Sequence, residues 1–518
     1  MRFSLLSLLA GPLVSFAAPP TVTYLNPSGG QIGTTVEVTA GGAFPKWPVS
    51  GWCSDPKIEI TPLKDKGKFT VNIPAGVTPK PVWIRLHDAD GASAPRPFLL
   101  GRLPEVAEKE PNDEVAKAQP ITGNAAINGR LDKNGDVDTF RVTAKKGQTL
   151  VASVTANEVL ASPVDTVVQV LSADGFVLAQ DHDTHGLDPQ VSFSVPKDGE
   201  YLVRVFGFPA VADSSIRLSG NDTYIYRLTV TTGFFPDHPV PLAVSQTNPG
   251  RVNIAGWNIP ADVGELAVTD GWADDPRLPI AVPVRIVSEL TTFTRQFTKE
   301  DEIHSHAIEG KKGQPLHVSV QSRQLGLAVT PMIRVRKPTG MEIAQAAPPQ
   351  INTDSELRFT PDADGPFTVE VRDQFGAFGL RSAYLLRVRP PTPDFEATVA
   401  TDRISVKPGA TADVTVTVAR KDGFSGELFA EAEGLPAGIT LKAIPPKGKG
   451  DGKSLTFQIA AEPTAKSGPF RLLLKTVAMP DLSRPVRATV PELTPATTEY
   501  LWVAVTADPA PPPKKKGT

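Results

Sequence analysis

Six oxygen-bearing side chains in two nearby segments are the residues of this sequence best placed to do chemistry. They are Glu108, Glu110, Asn112 and Asp113 in the first segment and Asp136 and Asp138 in the second. Alternate residues of an extended segment point to the same side, which groups Glu108, Glu110 and Asn112. Calcium is a hard cation that takes about six to eight oxygen ligands. If the two segments fold against each other, these side chains form one oxygen cage for calcium.

Two other interpretations of the same residues are possible. The acids from Asp132 to Asp138 have the spacing that opens an EF-hand loop, but Val137 stands where that loop needs glycine and Thr143 where it needs glutamate. This excludes an EF-hand. A water-exposed acidic linker followed by an Asx turn at Asn134-Gly135 would need no ion, and the sequence leaves this alternative open.

Histidines mark two weaker candidates. The loop Asp181–Asp188 contains His182 and His185 among its acids, and imidazole with carboxylate suits zinc or manganese. Long polar hairpin loops have the same composition, so we favour an ordinary loop. His304 and His306 share one face of a predicted strand, and we expect one or both to be simply exposed rather than metal ligands.

Motifs for nucleophilic catalysis are missing from the sequence. It contains neither a GxSxG nor an HExxH motif, and Cys53 is its single thiol, with no histidine nearby in sequence. We therefore expect no catalytic residue and no enzymatic activity.

Charge and cysteine content restrict the partners and the means of stabilisation. Lys plus Arg number 53 and Asp plus Glu number 56, for a net charge of −3, so electrostatics give no reason to expect nucleic acid as a partner. One cysteine allows neither an internal disulfide nor a thiolate zinc cluster. Stability must come from packed cores or from oxygen-ligated ions.

The first 17 residues have the pattern of a secretory signal peptide. Arg2 is followed by a largely apolar run from Phe3 to Phe16, and Ser15 and Ala17 are the small residues of a cleavage site. No later segment is long and apolar enough to span a bilayer. We expect an exported protein in the periplasm, on the cell surface or outside the cell.

The elements that carry these residues are predicted to be strands. Apolar and polar residues alternate with period two, for example in Thr149–Thr155 and Tyr226–Val230, which is typical of half-buried antiparallel strands. The 52 prolines and 42 glycines supply the turns. The predicted fold class is all-β, with tandem antiparallel β-sandwich domains of immunoglobulin-like and jelly-roll-like kinds.

An internal repeat sets the domain boundaries. Ala144–Leu150 matches Gly310–Leu316, and Asp198–Val205 matches Asp364–Val371, both at an offset of 166 residues. A repeat of this length indicates a duplicated domain; we refer to its two occurrences as the first copy and the second copy. The predicted units are the signal peptide (1–17), a first sandwich (18–103), the first copy (104–235), a connector plus the second copy (236–392), a last sandwich (393–507) and a disordered tail (508–518).

The first copy resembles the bacterial pre-peptidase C-terminal domain. The matching motifs are EPND at Glu110–Asp113 and GDVDTF at Gly135–Phe140, followed by Gly147 and by Gly199-Glu200-Tyr201. The resemblance implies an antiparallel β-sandwich whose acidic linker and GDxD turn bind calcium. The second copy has Asp301–His306 in place of GDVDTF, so the resemblance there implies the fold without the calcium site.

Two further resemblances concern the ends of the chain. Residues 18–103 resemble an IPT/TIG-like domain through Pro27–Gly30 and Gly33–Val38. Residues 393–507 resemble bacterial immunoglobulin-like domains through Pro408-Gly409 and Leu435–Ile439. The domain order is similar to that of secreted multidomain proteins of planctomycete-type bacteria.

These observations favour an exported, non-catalytic binding protein. Its expected partner is an extracellular polymer, protein or polysaccharide, or an envelope protein, and calcium stabilises the first copy. Two alternatives remain: an accessory region of a secreted peptidase or other hydrolase system, and a structural stalk of the cell envelope. Nucleic acid and a membrane span are not expected.

Overall fold

A computed structural model describes most of the chain. It covers residues 18–211, 217–247, 249–287, 292–350, 353–444, 452–493 and 495–506. The predicted signal peptide and the predicted tail at 508–518 lie outside these residues. Within the described residues, none of the helices has the length and apolar character needed to cross a membrane.

The first sandwich is built from two sheets around one core. Its strands are β1 (Thr21–Asn26), β2 (Gly29–Gln31), β3 (Thr34–Ala43), β4 (Ser50–Cys53), β5 (Glu59–Pro62), β6 (Lys68–Ile73), β7 (Pro81–Asp88), β8 (Gly91–Ala92) and β9 (Arg96–Gly101). The sheet orders are β1-β3-β6-β5 and β2-β9-β7-β4, with β8 beside β7. Phe69 and Val71 from β6 alternate into the core, where they meet Phe98 from the other sheet.

The first copy is a second sandwich. Its strands are β10 (Glu105–Ala107), β11 (Gln119–Pro120), β12 (Ala125–Arg130), β13 (Asp138–Ala144), β14 (Thr149–Thr155), β15 (Val164–Ser172), β16 (Val177–Asp181), β17 (Gln190–Ser194), β18 (Gly199–Pro209) and β19 (Ile225–Thr231). They form sheets of order β10-β12-β19-β14-β17 and β11-β13-β18-β15-β16. Phe140 and Val203 from one sheet share a core with Val154 and Leu228 from the other.

The connector folds as a unit of its own between the two copies. Its strands are β20 (Phe235–Val240), β21 (Ala243–Ser245), β22 (Arg251–Trp257), β23 (Leu266–Thr269), β24 (Trp272–Ala273), β25 (Val282–Pro283) and β26 (Arg285–Val287). The order is β20-β22-β23-β24-β25, with β21 and β26 paired separately. Val252, Leu278 and Val282 form its core.

The second copy repeats the strand order of the first. Its strands are β27 (Thr292–Gln296), β28 (Ile303–Gly310), β29 (Leu316–Gln321), β30 (Pro331–Arg336), β31 (Glu342–Ala346), β32 (Ser355–Phe359), β33 (Gly365–Asp373) and β34 (Ala383–Arg389). The sheets are β27-β34-β29-β32 and β28-β33-β30-β31. In the described part of the chain, no strand takes the places of β10 and β11 at the edges of these sheets.

The last sandwich wraps one long sheet around one core. Its strands are β35 (Asp394–Val399), β36 (Arg403–Val406), β37 (Thr411–Lys421), β38 (Leu428–Glu433), β39 (Ile439–Ile444), β40 (Ser454–Ala461), β41 (Gly468–Thr476), β42 (Ser483–Thr489), β43 (Thr497–Thr498) and β44 (Leu501–Val505). The order is β36-β44-β41-β42-β35-β37-β40-β39, with β38 beside β41 and β43 beside β42. Phe395, Phe457 and Leu474 lie in the core.

The predicted fold class is confirmed. The described residues contain no α-helix, only single 3₁₀ turns at Val115–Lys117, Ala261–Val263, Arg323–Leu325 and Pro491–Leu493. Most strand pairs are antiparallel; among the parallel pairs, β10 pairs with β12 and β11 with β13. Because β10 and β11 belong to different sheets, the residues between them cross from one sheet of the first copy to the other.

Candidate metal centre

The acidic segment lies in the crossing between β10 and β11. Glu108 N–H donates to the Asn128 carbonyl at 3.0 Å, which anchors the start of the segment to β12. Thr139 N–H donates to the Asn112 carbonyl at 3.2 Å, and Val137 N–H donates to Asp113 Oδ1 at 3.3 Å. These hydrogen bonds tie the segment to the turn that precedes β13.

All six predicted ligand residues lie in this one place. Their carboxylate oxygens form two overlapping groups, Glu108, Glu110 and Asp138 in one and Glu110, Asp113 and Asp136 in the other, and within each group the oxygens lie within 4.8 Å of one another. Asn112 completes the set, since its Nδ2 donates to Glu108 Oε1 at 3.4 Å and its backbone N–H donates to Glu110 Oε2 at 3.0 Å.

Three side-chain oxygens of this cluster are buried without a hydrogen-bond partner. They are Asn112 Oδ1, Asp136 Oδ1 and Asp138 Oδ1, and all three side chains are 0% exposed. Lys133 Nζ comes no closer than 3.6 Å to Asp136 Oδ1. Because buried polar atoms are nearly always paired, three unpaired oxygens within one acidic cluster favour an electropositive partner.

The pKa values of the carboxyl groups in the cluster also favour a bound cation. Burial, followed by repulsion from Glu110 and Asp136, raises the pKa of Glu108 to about 7. Burial raises the pKa of Asp136 to about 6. Burial and the neighbouring Glu108 raise the pKa of Asp138 well above its ordinary value. The charged forms of Glu108, Asp136 and Asp138 are therefore disfavoured here, and a bound cation would favour them.

The donor set fits calcium. It consists of carboxylate oxygens and one amide carbonyl, which are the hard ligands that calcium takes, and it holds no imidazole or thiolate that would select zinc. A bound cation would supply charge neutralisation for the five carboxylates. The residues of this chain would supply the ligands and their fixed positions.

Sequence reasoning did not identify Tyr226 as part of this centre. Its fully buried hydroxyl donates to Asp138 Oδ2 at 2.6 Å, leaving Oδ1 of the same carboxylate unpaired. Tyr226 lies opposite Gly129 in the β12–β19 ladder, and a Cβ on Gly129 would stand 2.2 Å from the ring. The recurrence of this tyrosine as Tyr384 in the second copy was the signal available in the sequence.

The second copy has an imidazole, His304, where the first has the Asp138 carboxylate. His304 faces Val371 across β28 and β33 just as Asp138 faces Val205 across β13 and β18. Tyr384 Oη lies 2.9 Å from His304 Nδ1 and 2.8 Å from His306 Nε2. The expectation that one or both histidines are exposed is wrong, because the His304 side chain is only 15% exposed and His306 is 3% exposed and packs beside Phe293.

Two carboxylates of the Asp181–Asp188 loop accept hydrogen bonds from backbone N–H groups. Asp188 accepts N–H groups from Ala156, Asn157 and Glu158 at 2.7 to 3.2 Å. Asp181 accepts N–H groups from Thr184 of its own loop and from Gln190 at the start of β17. Within the described residues, the two groups of acids that could share an ion both lie at the first-copy cluster.

The single thiol is unsuited to nucleophilic chemistry. Cys53 is buried in the core of the first sandwich. Burial raises its pKa to about 12, so the thiol stays protonated at neutral pH.

Replacement of Gly129 by alanine should disturb the centre through Tyr226. The new methyl group meets the tyrosine ring, so Tyr226 must move and Asp138 loses its donor. We expect Gly129→Ala to lower the melting temperature of the first copy by several degrees, by calorimetry, whereas Gly76→Ala, which adds a methyl group in open space, changes it little. Equal melting temperatures for the two variants would contradict the contact.

The cation-free protein should lose stability as the pH rises. The folded state holds the pKa values of Glu108 and Asp136 at about 7 and about 6, above their ordinary values of 4.5 and 3.8. These groups therefore stabilise the fold below about pH 4, and that contribution is lost as the pH rises to about 7. Melting temperatures of chelator-treated protein should fall between pH 4.5 and about 7; a rise over this window would contradict the buried cluster.

Comparisons with known proteins agree with part of this picture. A stretch of 101 residues, 18% of this chain, is 37% identical to a probable subtilase-type serine protease of Deinococcus radiodurans, and the match spans 14% of that protein. The chain thus covers a small part of this relative's length.

Solved structures are similar only at a low level. The periplasmic lysozyme inhibitor PliG of Aeromonas hydrophila is 16% identical, with 24% of this chain and 97% of that chain covered and a TM-score of 0.17. The Bacteroides ovatus glucan-locus protein SGBP-B is 12% identical, with 70% and 72% covered and a TM-score of 0.15. Scores this low carry no argument about function.

The family comparison concerns the first copy. Residues 136–207 match the bacterial pre-peptidase C-terminal domain. The match begins at Asp136, includes Asp138 and ends in β18, so it contains the second acidic segment. The IPT/TIG-like, immunoglobulin-like and planctomycete resemblances stay predictions. The chain therefore contains a bacterial pre-peptidase C-terminal domain within its first copy.

Proposed function

We propose that this chain is an exported, non-catalytic binding protein whose first copy is held together by calcium. The observation that carries the calcium part is the set of three fully buried, unpaired oxygens on Asn112, Asp136 and Asp138. A divalent cation among them would satisfy all three and neutralise the surrounding acids.

Calcium in this place would stiffen the joint between the first sandwich and the first copy. Glu105, three residues before the first ligand, forms an ion pair with Arg227 and accepts from Asn128 Nδ2 at 2.7 Å. Asn128 Oδ1 in turn accepts from Ser28 N–H at 3.2 Å. A cation that fixes Glu108 therefore also restrains the strand that carries the joint.

The binding part of the proposal is supported by exposed aromatic side chains. Phe176 is 73% exposed at the β15–β16 turn, and Phe375 and Phe378 are 65% and 58% exposed in the loop after β33. Exposed aromatic rings on a sandwich surface are suited to stacking on a polymer. The proposed partner is an extracellular protein or polysaccharide, or an envelope protein.

A second candidate function is an accessory role in a secreted peptidase or other hydrolase system. The observation that favours it is the 101-residue match to a probable subtilase-type protease. In that role the chain would bind a hydrolase rather than a polymer. A binding experiment that offers both kinds of partner distinguishes the two functions. The structural stalk has no such observation in its favour.

Calcium should raise the melting temperature of the first copy. At a concentration 100-fold above Kd, a ligand stabilises a fold by about 2.7 kcal/mol, which corresponds to a rise of roughly 5–15 °C for a domain of this size. Scanning calorimetry of chelator-treated protein with and without calcium chloride measures this rise.

Two matched variants test whether the calcium-dependent rise in melting temperature comes from the acidic cluster. Glu110→Gln removes a charge common to both acid groups and should abolish the calcium-dependent rise. Glu302→Gln, at the second-copy position that corresponds to Asp136, should leave it intact. A calcium effect that survives in Glu110→Gln, or no effect in the parent protein, would contradict the proposed site.

Binding to a polymer should depend on the exposed aromatics. In a pull-down screen over collagen, insoluble polysaccharides and envelope fractions, we expect one class to retain the protein. Phe176→Ala, or Phe375→Ala with Phe378→Ala, should weaken that binding at least tenfold, while Phe429→Ala, an exposed phenylalanine on the last sandwich, should not. Retention by a hydrolase alone would favour the accessory role.

A further inference from the structure

The first and last sandwiches meet through a group of aromatic rings. Trp52, at the end of β4, lies 5.2 Å from Tyr500 and 6.2 Å from Trp502, measured between ring centroids. His87 from β7 lies 4.7 Å from Trp502. Trp502 is 2% exposed, so residues more than 400 positions apart in the sequence form one packed surface.

A buried ion pair lies at the centre of this contact. Arg85 Nη2 is 2.5 Å from Asp402 Oδ2, and the two side chains are 1% and 0% exposed. Arg85 Nη1 also donates to the Ser93 carbonyl at 2.9 Å, and its guanidinium lies 5.4 Å over the Trp502 ring. A charge buried in this way needs its partner, so each surface is specific for the other.

Two apolar clusters flank the ion pair. One joins Ala92 and Trp52 of the first sandwich to Trp502 and Ala504 of the last. The other joins residues from both sandwiches and one from the first copy: Ala94, Val490 and Leu493, with Trp83, Ala161 and Ala496. Tryptophan, tyrosine and arginine at the centre of a dry contact are the features of a stable interface.

We infer that the last sandwich docks on the first within one molecule and closes the chain into a ring. The interaction surface is the face of β4, β7 and β8, and its occupant is formed by the chain's own residues 490–493 and 495–504 together with Asp402. The ring makes the five folded units one body rather than a string of spacers, which argues against an extended stalk.

Contacts on the other side of the last sandwich favour docking within one molecule. Asp422 forms ion pairs with Arg358 and Arg389 of the second copy. β34 ends at Arg389 and β35 begins at Asp394, so the connection is too short to let the last sandwich move far away.

The remaining junctions complete the ring. Arg102 of the first sandwich pairs with Asp274 of the connector at 2.8 Å. Arg381 of the second copy pairs with Asp237 of the connector and lies 3.0 Å from His185 of the first copy. Each unit is therefore held by at least two others.

The test cleaves the chain between the second copy and the last sandwich and measures whether the two pieces stay associated. A site-specific protease sequence is inserted after Thr392 in the full chain, and the cut protein is analysed by size-exclusion chromatography and by the dissociation constant of its two pieces. We expect the pieces to co-elute at the size of one molecule. Separation of the pieces on cleavage, or elution at twice that size, would overturn docking within one molecule.

Variants of the ion pair test its role in docking. Arg85→Met and Asp402→Leu should each weaken association of the pieces at least tenfold, and the double variant should recover most of the loss because it leaves no unpaired buried charge. Lys475→Met, which breaks an exposed ion pair with Glu431, is the matched control. Single variants that associate as tightly as the parent would overturn the assignment.

Cys53 separates undocking from misfolding. The core of the first sandwich covers this single thiol, so it should resist a thiol reagent in a variant that is undocked but folded. If Cys53 reacts rapidly in one of the single variants, the first sandwich of that variant is unfolded. Trp52→Leu, which removes a ring from the interface alone, is then used in place of that variant and should weaken association of the pieces in the same way.

Discussion

The structure of the first copy depends on an electrostatic constraint: five carboxylates meet in one cluster, and two of them, Asp136 and Asp138, are fully buried. Lys133 provides one positive charge at the exposed rim, and Tyr226 provides one neutral hydrogen bond to Asp138. The pKa values of Glu108, Asp136 and Asp138 rise because burial and mutual repulsion disfavour their charged forms. An oxygen-ligated cation, as we propose, would resolve this constraint, and the crossing between two sheets would give it a fixed position.

The second copy has the same sandwich fold without the cluster of five carboxylates. The second copy places His304 where the first places Asp138, and Tyr384 contacts two imidazoles there. It also has no strands corresponding to β10 and β11 among its described residues. The carboxylate cage and the crossing segment are thus absent together, as expected if the crossing segment exists to supply ligands.

The sequence predicted the local features and missed the distant ones. Period-two alternation gave the all-β class, and the spacing of Glu108, Glu110 and Asp138 gave residues that the structure places together, although whether calcium binds there stays a prediction. Tyr226 lies 88 residues from Asp138, and Arg85 lies 317 residues from Asp402. Such contacts depend on how sheets and sandwiches pack against each other, and a local sequence pattern does not predict this packing. His306 was misjudged for the same reason, since its burial comes from strands β27 and β34.

The most direct test of the account is a crystal structure of the full chain grown with calcium chloride, with anomalous scattering recorded to locate the ion. The account predicts an anomalous peak at about 2.3–2.6 Å from oxygens of Glu110 and Asp138, with Asn112 Oδ1 directed toward it. A map without a peak at this cluster, with its acids paired to water or protein instead, would contradict the claim that calcium holds the first copy together.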